Sequence, residues 1–205
     1  GFLERLSKTL EYVDSRLPDY DNLLFTNRVF VTRAKDTGKI SQKQALEWSV
    51  TGPNLRATGL AFDVRRDDPY LVYDQLAFDI PTERAGDAWA RTLVRRAELQ
   101  QSVRILRQVI ERLPGSEGPI RAQIPNPLAW RVPAGEAYVR IESSKGELGW
   151  YVVSDGGEKP YRVHVRGPSA MHAVQVLEHL VTGCRIEDVA QIMFSLDACP
   201  PEVDR

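Results

Sequence analysis

TERAGDAWARTLVRRAELQQSVRILRQVIERL, residues 82–113, is the longest periodic stretch of the chain. Ala85, Trp89, Leu93, Leu106, Val109, Ile110 and Leu113 recur at helical intervals, and Pro114-Gly115 stops the pattern. The spacing predicts one long helix through the centre of the molecule. Arg91, Arg95, Arg96, Arg104 and Arg107 then lie on faces that need carboxylate partners or solvent, and a solvated basic face is as good an account as an ion-paired one. Asp87, just after Gly86, sits where negative charge offsets the positive end of a helix.

Toward the N-terminus, Leu3, Leu6, Leu10, Val13 and Leu17 mark an amphipathic helix over residues 2–17, closed by Pro18. Ser41-Gln42-Lys43-Gln44 has the form of a capping box and opens a short helix through Ala45, Leu46 and Trp48. Between Thr51 and Pro81 the pattern dissolves into Gly, Pro, Asp and aromatic residues. A connection of that length in a compact domain is either functional or fills a groove in its own fold.

Toward the C-terminus, residues 115–136 are rich in proline and carry little periodicity. Tyr138–Ile141, Leu148–Val153 and Tyr161–Val165 alternate as strands, joined by turns at Ser143-Ser144-Lys145-Gly146 and Asp155-Gly156-Gly157. Ser169 is placed to cap a helix carrying Met171, Val174, Val176, Leu177 and Leu180 and halted at Gly183, and Ile186–Phe194 forms another. The tail from Ser195 is non-periodic and is expected to fray. The organisation expected is α+β and mainly helical: helical 1–114, irregular 115–136, an antiparallel meander 137–166, then C-terminal helices and tail 167–205.

Composition bounds the function. With 42% hydrophobic and 27% charged residues over 205 positions, the chain has ordinary globular composition, which excludes disordered, collagenous and repeat classes. The 27 basic residues are balanced by 28 acidic ones, so there is no polyanion-binding field and nucleic acid is not an expected partner. No apolar run approaches the roughly 18 residues of a membrane span, so membrane contact would come through other subunits. Cys184 and Cys199 are the only cysteines and have no histidine at ligand spacing, which suggests neither a disulfide framework nor a zinc site and makes a reducing cytoplasm the default.

The common nucleotide, metalloprotease and nucleophile-elbow motifs are missing, so no nucleotide is bound by motif. His164, His172 and His179 stand singly; His172 and His179 are placed to share a helix face, but ordinary core or surface histidines are the better account. Asp63, Asp79, Asp87, Glu142, Glu147, Asp155, Asp197 and Glu202 lie among glycines and prolines, where most should cap turns or pair with arginines. Asp197, Glu202, Asp204 and Arg205 form the densest polar cluster, and composition alone makes it a solvated tail.

Thr51-Gly52-Pro53-Asn54-Leu55-Arg56-Ala57-Thr58-Gly59 resembles the D-subunit family of bacterial NADH-quinone oxidoreductase, the 49-kDa-type subunit of respiratory complex I. The likeness continues through Asp63-Val64-Arg65, Asp68-Pro69-Tyr70, Phe78-Asp79-Ile80-Pro81, Gly86-Asp87, Lys145-Gly146-Glu147-Leu148-Gly149, Ser154-Asp155-Gly156, Lys159-Pro160-Tyr161-Arg162, Ser195-Leu196-Asp197 and Glu202-Val203-Asp204-Arg205. It reaches from Gly1 to Arg205 and corresponds to the C-terminal half of the family's length. With a first residue that is glycine, it implies a fragment without catalysis of its own.

The resemblance implies a peripheral-arm subunit that helps form a quinone cavity beside the terminal iron-sulfur cluster of a neighbouring subunit, in electron transfer from NADH coupled to proton translocation. Quinone would be the substrate, while NADH, FMN and the iron-sulfur clusters would bind to partner subunits, at the cytoplasmic side of the bacterial cell membrane. Asp197, Cys199, Glu202 and Arg205 would lie near the cavity or the cluster, with Arg205 as a fixed positive charge able to raise the cluster's potential, and no residue of the fragment would be catalytic. The family is similar to nickel-iron hydrogenase large subunits, which implies a related fold. Here Asp197-Ala198-Cys199-Pro200-Pro201-Glu202 offers one thiolate where that class has two, so no nickel site is expected. Phe194, Pro200-Pro201, Gly167 and Ala170 depart from the family pattern. The rival readings are a membrane-bound hydrogenase of the related class and a non-catalytic scaffold.

Overall fold

The computed structural model describes residues 1–115, 118–119, 121–123, 126 and 130–204. Arg205 and part of the 115–136 connection therefore lie outside the described residues. The long helix, α6 (Ala88–Arg112), begins later than the periodicity suggested. Residues just before it are not helical because their backbone groups are used elsewhere: the Glu83 amide donates to the Arg56 carbonyl at 3.0 Å and the Gly86 amide to the Ala57 carbonyl at 2.9 Å. Gly86 adopts φ +66°, and a Cβ there would stand 2.1 Å from the Ile40 carbonyl oxygen, so only glycine fits the turn into the helix. Asp87 is the N-cap, accepting from the amides of Ala90 and Asp36 at 2.8 Å each.

α1 (Phe2–Tyr20) buries Leu10 and Leu17 and runs on through Pro18 instead of stopping there. Proline removes one amide donor near the helix end, a loss confined to a single turn. That turn is held from outside, by Asp21 accepting from Arg96 Nε and Nη2 at 2.6 and 2.7 Å and by Asp14 pairing with Arg107. A π-helical turn, Asp21–Phe25, follows, and then α2 (Arg28–Ala34), which the sequence did not announce; Asn27 caps it through the amides of Val29 and Phe30. α3 (Gln42–Glu47) carries the expected capping box between Ser41 and Gln44.

The segment 51–81 is not an open loop. It contains α4 (Gly52–Arg56), α5 (Val64–Asp67) and a 3₁₀ turn at Tyr73–Gln75, and every residue from Thr51 to Thr58 is buried. α4 lies between α6 and the sheet, and Ala57 packs with Ala90 and Val94. The main core gathers Ile40, Ala45, Val50, Leu55, Val176, Leu180, Ile192 and Leu196, so elements far apart in sequence share one apolar centre. Leu76, Phe78 and Ile105 form a smaller cluster along α6.

β1 (Gly135–Ser143), β2 (Gly146–Ser154) and β3 (Arg162–Arg166) make the expected antiparallel meander in the order β1-β2-β3, with Ile141 opposite Leu148 and Tyr151 opposite His164. Its β1–β2 turn is driven into the start of α4: a Cβ on Gly52 would stand 2.4 Å from Gly146 Cα. Arg166 clamps the same end, donating to Thr51 Oγ1 at 3.1 Å and to the Ser49 carbonyl at 2.8 Å. The opposite end, with Tyr138, Val139, Tyr161 and Val163, is exposed.

α7 (Pro168–Ala170), a π-helical turn Met171–Val176 and α8 (Leu177–Val181) follow one another without a break. Gly167 is the N-cap, not Ser169, whose buried hydroxyl is engaged by the C-terminal segment. α9 (Ile186–Leu196) outlasts the apolar pattern by two residues, and the tail folds into α10 (Pro200–Val203) against α7. No helix among the described residues is long and apolar enough to cross a membrane.

Candidate functional site

α6, α4, the β1–β2 turn and the end of α9 enclose a cleft of about 560 Å³. Phe25, Leu99 and Phe194 give it apolar walls, while Arg56, Arg65, Arg95, Arg96, Glu98, Glu142 and Asp197 bring charge to its lining. A cleft with aromatic walls and several guanidinium donors suits a flat ligand with polar or developing negative oxygens.

Among the charges lining the cleft, Arg56 is only 1% exposed. Its Nε donates to Glu98 at 2.7 Å, its Nη1 donates to Glu142 and to the Phe62 carbonyl at 2.8 Å each, and Asp63 stands 3.5 Å away. Burial works against the Arg56 charge, but Glu98, Glu142 and Asp63 outweigh it and hold its pKa above the ordinary arginine value. Burial raises the Glu142 pKa, with Arg56 opposing and Asp63 adding to the rise. Asp63 is also bound by Arg65, at 2.9 and 2.7 Å, and Glu142 accepts from the Val64 amide at 3.1 Å. Removing one member of such a buried set costs about 3–5 kcal/mol because it strands the others.

Two turns before Glu98 on α6, Arg91 is fully buried without a carboxylate in hydrogen-bond contact. It donates to Ser195 Oγ at 3.0 and 2.8 Å, to the Gly38 carbonyl at 2.9 Å and to the Gly86 carbonyl at 3.0 Å. Burial, with Arg95 nearby, lowers its pKa to about 9, which leaves it charged at neutral pH. Arg95 reaches the end of α9, donating to the Ser195 and Leu196 carbonyls at 2.7 and 3.1 Å, and turns its Nε toward Asp197 at 3.5 Å. Lys145, in the β1–β2 turn, meets the same Asp197 oxygen at 2.5 Å. Asp197 adopts φ +54°, a left-handed C-cap that aspartate tolerates better than most residues, and these two cations hold its carboxylate.

Behind Arg95 lies a neutral pair. Asn54 Oδ1 accepts from Arg95 Nη2 at 2.9 Å, while Nδ2 faces the Leu196 carbonyl and His172 Nδ1, both at 3.0 Å. His172 is 0% exposed, and burial, followed by Arg95, Arg166 and Arg91, pushes its pKa down to about 3.

Among the residues singled out by resemblance, Asp197 lines the cleft. Cys199 and Glu202 are drawn instead to Ser169, whose hydroxyl donates to Glu202 Oε2 at 2.5 Å and accepts from the Cys199 amide at 3.0 Å. Arg205 lies outside the described residues. Asn54, Arg56 and His172 were not among the candidates, and burial of polar residues is what marks them. The sequence held one signal for this, the crowding of Asn54 and Arg56 into a Gly-Pro-rich helix start. His172 and His179 do not form a pair: His179 packs against Trp48 at 4.6 Å between ring centroids. The arginines of α6 divide: Arg91 is buried and Arg96 pairs with Asp21 in a part-buried contact, whereas Arg104 and Arg107 pair with Asp79 and Asp14 on the solvated surface. Among the described residues, no group of three or more His, Cys, Asp or Glu side chains is arranged to hold a metal ion.

Residues 1–131 and 127–205 match the family model for the respiratory-chain NADH dehydrogenase 49 Kd subunit. The chain is 47% identical over 198 residues to the NADH-quinone oxidoreductase D subunit of Thermosipho melanesiensis, covering 97% of this chain and 54% of that protein. It is 44% identical over 208 residues to a D subunit of the same oxidoreductase from a Roseiflexus species, covering 100% of this chain and 55% of the relative. It also matches, at 50% identity and a TM-score of 0.93, a chain in the structure of the membrane-bound sulfane sulfur reductase, an archaeal respiratory membrane complex, covering 99% of this chain and 55% of that one. The chain therefore spans about half the length of the curated relatives it matches.

Proposed function

Because this chain belongs to the respiratory-chain NADH dehydrogenase 49-kDa subunit family, we propose that it is part of a peripheral-arm subunit of an NADH:quinone oxidoreductase. In this reading it walls a quinone cavity next to the terminal iron-sulfur cluster of a neighbouring subunit, meets the cytoplasmic face of the membrane through its partners, and shares the architecture of nickel-iron hydrogenase large subunits. The cluster supplies the electrons. The observation that carries the assignment is the Asp197 carboxylate, held by Lys145 and Arg95 at the edge of a cleft walled by Phe25, Leu99 and Phe194.

Reduction of a quinone builds negative charge on its ring oxygens before protons arrive, and fixed cations nearby stabilise that charge without reorganising. Arg95 and Lys145 are such cations, and Asp197 orients them. The apolar walls favour an aromatic headgroup and exclude water. In the same reading Cys199 and Glu202, joined through Ser169, lie on the cluster side, Cys199 without nucleophilic duty, and Arg205 keeps the fixed positive charge that the resemblance assigns to it.

The 50% identity to the chain from the sulfane sulfur reductase favours one second reading, in which the same cations receive an anionic sulfur chain instead of a quinone. The test is to capture the complex from solubilised membranes with an antibody to this chain and to assay NADH oxidation with a quinone and, separately, with polysulfide. Quinone reduction supports the first reading, polysulfide reduction alone supports the second, and inactivity with both leaves a scaffold.

A further inference from the structure

The amide of Asn54 can point only one way. Its Oδ1 faces the Arg95 guanidinium, which has no acceptor, and its Nδ2 faces the Leu196 carbonyl, which has no donor. Flipping the amide would set NH₂ against guanidinium and oxygen against oxygen. The second Nδ2 hydrogen is therefore directed at His172 Nδ1, so that nitrogen accepts and the ring proton sits on Nε2. A protonated ring would place a second donor against Nδ2, and the three surrounding arginines oppose that charge.

Arg95 depends on this arrangement. Its Nη1 donates to the Arg91 and Ser195 carbonyls and its Nη2 to the Leu196 carbonyl, contacts made along α6 and at the end of α9. The contact from Nη2 to Asn54 Oδ1 adds a side-chain acceptor from α4 and helps keep the Nε edge toward Asp197. We propose that Asn54 and neutral His172 are positioning residues, which fix the Arg95 guanidinium and through it the Asp197 carboxylate in the cleft. The inference rests on the reading of that cleft as the acceptor site.

Two substitutions separate positioning from packing. His172→Phe keeps the ring volume and loses the acceptor, whereas His172→Asn loses volume and keeps an oxygen close to where Nδ1 stands. Both are introduced into the full subunit within the membrane complex, with assembly checked by co-purification, and kcat and KM are measured with whichever acceptor the unmodified complex reduces. Positioning predicts that His172→Phe lowers kcat/KM about ten-fold, the worth of one hydrogen bond to a charged network, while His172→Asn loses less than about three-fold. It also predicts that His172→Phe adds less than about two-fold to the loss already caused by Asp197→Asn, because the two act on one contact chain.

A phenylalanine variant as active as the asparagine variant, or losses that multiply in the double variant, overturns the positioning role while leaving the acceptor assignment intact. An unmodified complex that reduces polysulfide but no quinone corrects the function and leaves the inference standing on the other acceptor. One that reduces neither overturns both.

Discussion

Acidification should unfold this protein partly through one histidine. The ordinary histidine pKa is 6.5, and in the folded chain that of His172 falls to about 3. Between those values the unfolded chain binds a proton that the native chain refuses, so stability is complete above pH 6.5 and is withdrawn as the pH falls toward 3. At about 1.4 kcal/mol per pH unit, acting over the two units below 6.5, this residue alone removes on the order of 3 kcal/mol between pH 8 and pH 4.5. Urea unfolding of the purified chain at a series of pH values, set beside His172→Asn, isolates the contribution because carboxylates titrate alike in both. The variant should be less stable at pH 8, having lost packing, yet its stability should decline less steeply with acid. Parallel curves would refute the assignment of a neutral, buried imidazole.

Two further perturbations follow from the same geometry. Burial raises the Glu142 pKa above 4.5, so the native chain holds that proton longer than the unfolded one and stability declines as pH rises from 4.5; Glu142→Gln should therefore gain on the parent across that rise in urea titrations, opposite in sign to His172. Gly86→Ala combines a left-handed backbone with a Cβ 2.1 Å from the Ile40 oxygen. It should cost at least about 3 kcal/mol in the same assay, against less than about 1 kcal/mol for Gly115→Ala, where the space is open.

What the sequence revealed depended on whether the deciding forces were local. The capping box at Ser41, the meander with its turns and the existence of α6 are set by neighbours within a few residues, and all three were legible. The start of α6 was not, because Glu83 and Gly86 give their amides to the carbonyls of Arg56 and Ala57, partners known only after folding. Pro18 misleads for a similar reason: Arg96 and Arg107, from another helix, hold the turn that proline weakens. In the cleft, Asp197 was singled out through resemblance, and its place at the cleft's lining was visible only in the fold. His172 gave no sign, since a lone histidine on a helix looks the same whether it faces solvent or a buried asparagine.

The three-stranded sheet is fastened at one end. Gly52 against Gly146 and the Arg166 clamp pin the β1–β2 turn, whereas the β2–β3 turn at residues 155–160 stands wholly in solvent. Length variation should therefore be distributed unevenly along the chain. An insertion between Asp155 and Pro160 would lengthen an exposed tip whose Glu158 makes a surface ion pair with Arg131, making it a place to graft a peptide label. One added residue at Ser144 or Lys145 would carry the Lys145 ammonium away from Asp197, and the chain could keep its hairpin while losing the contact that ties it to the cleft.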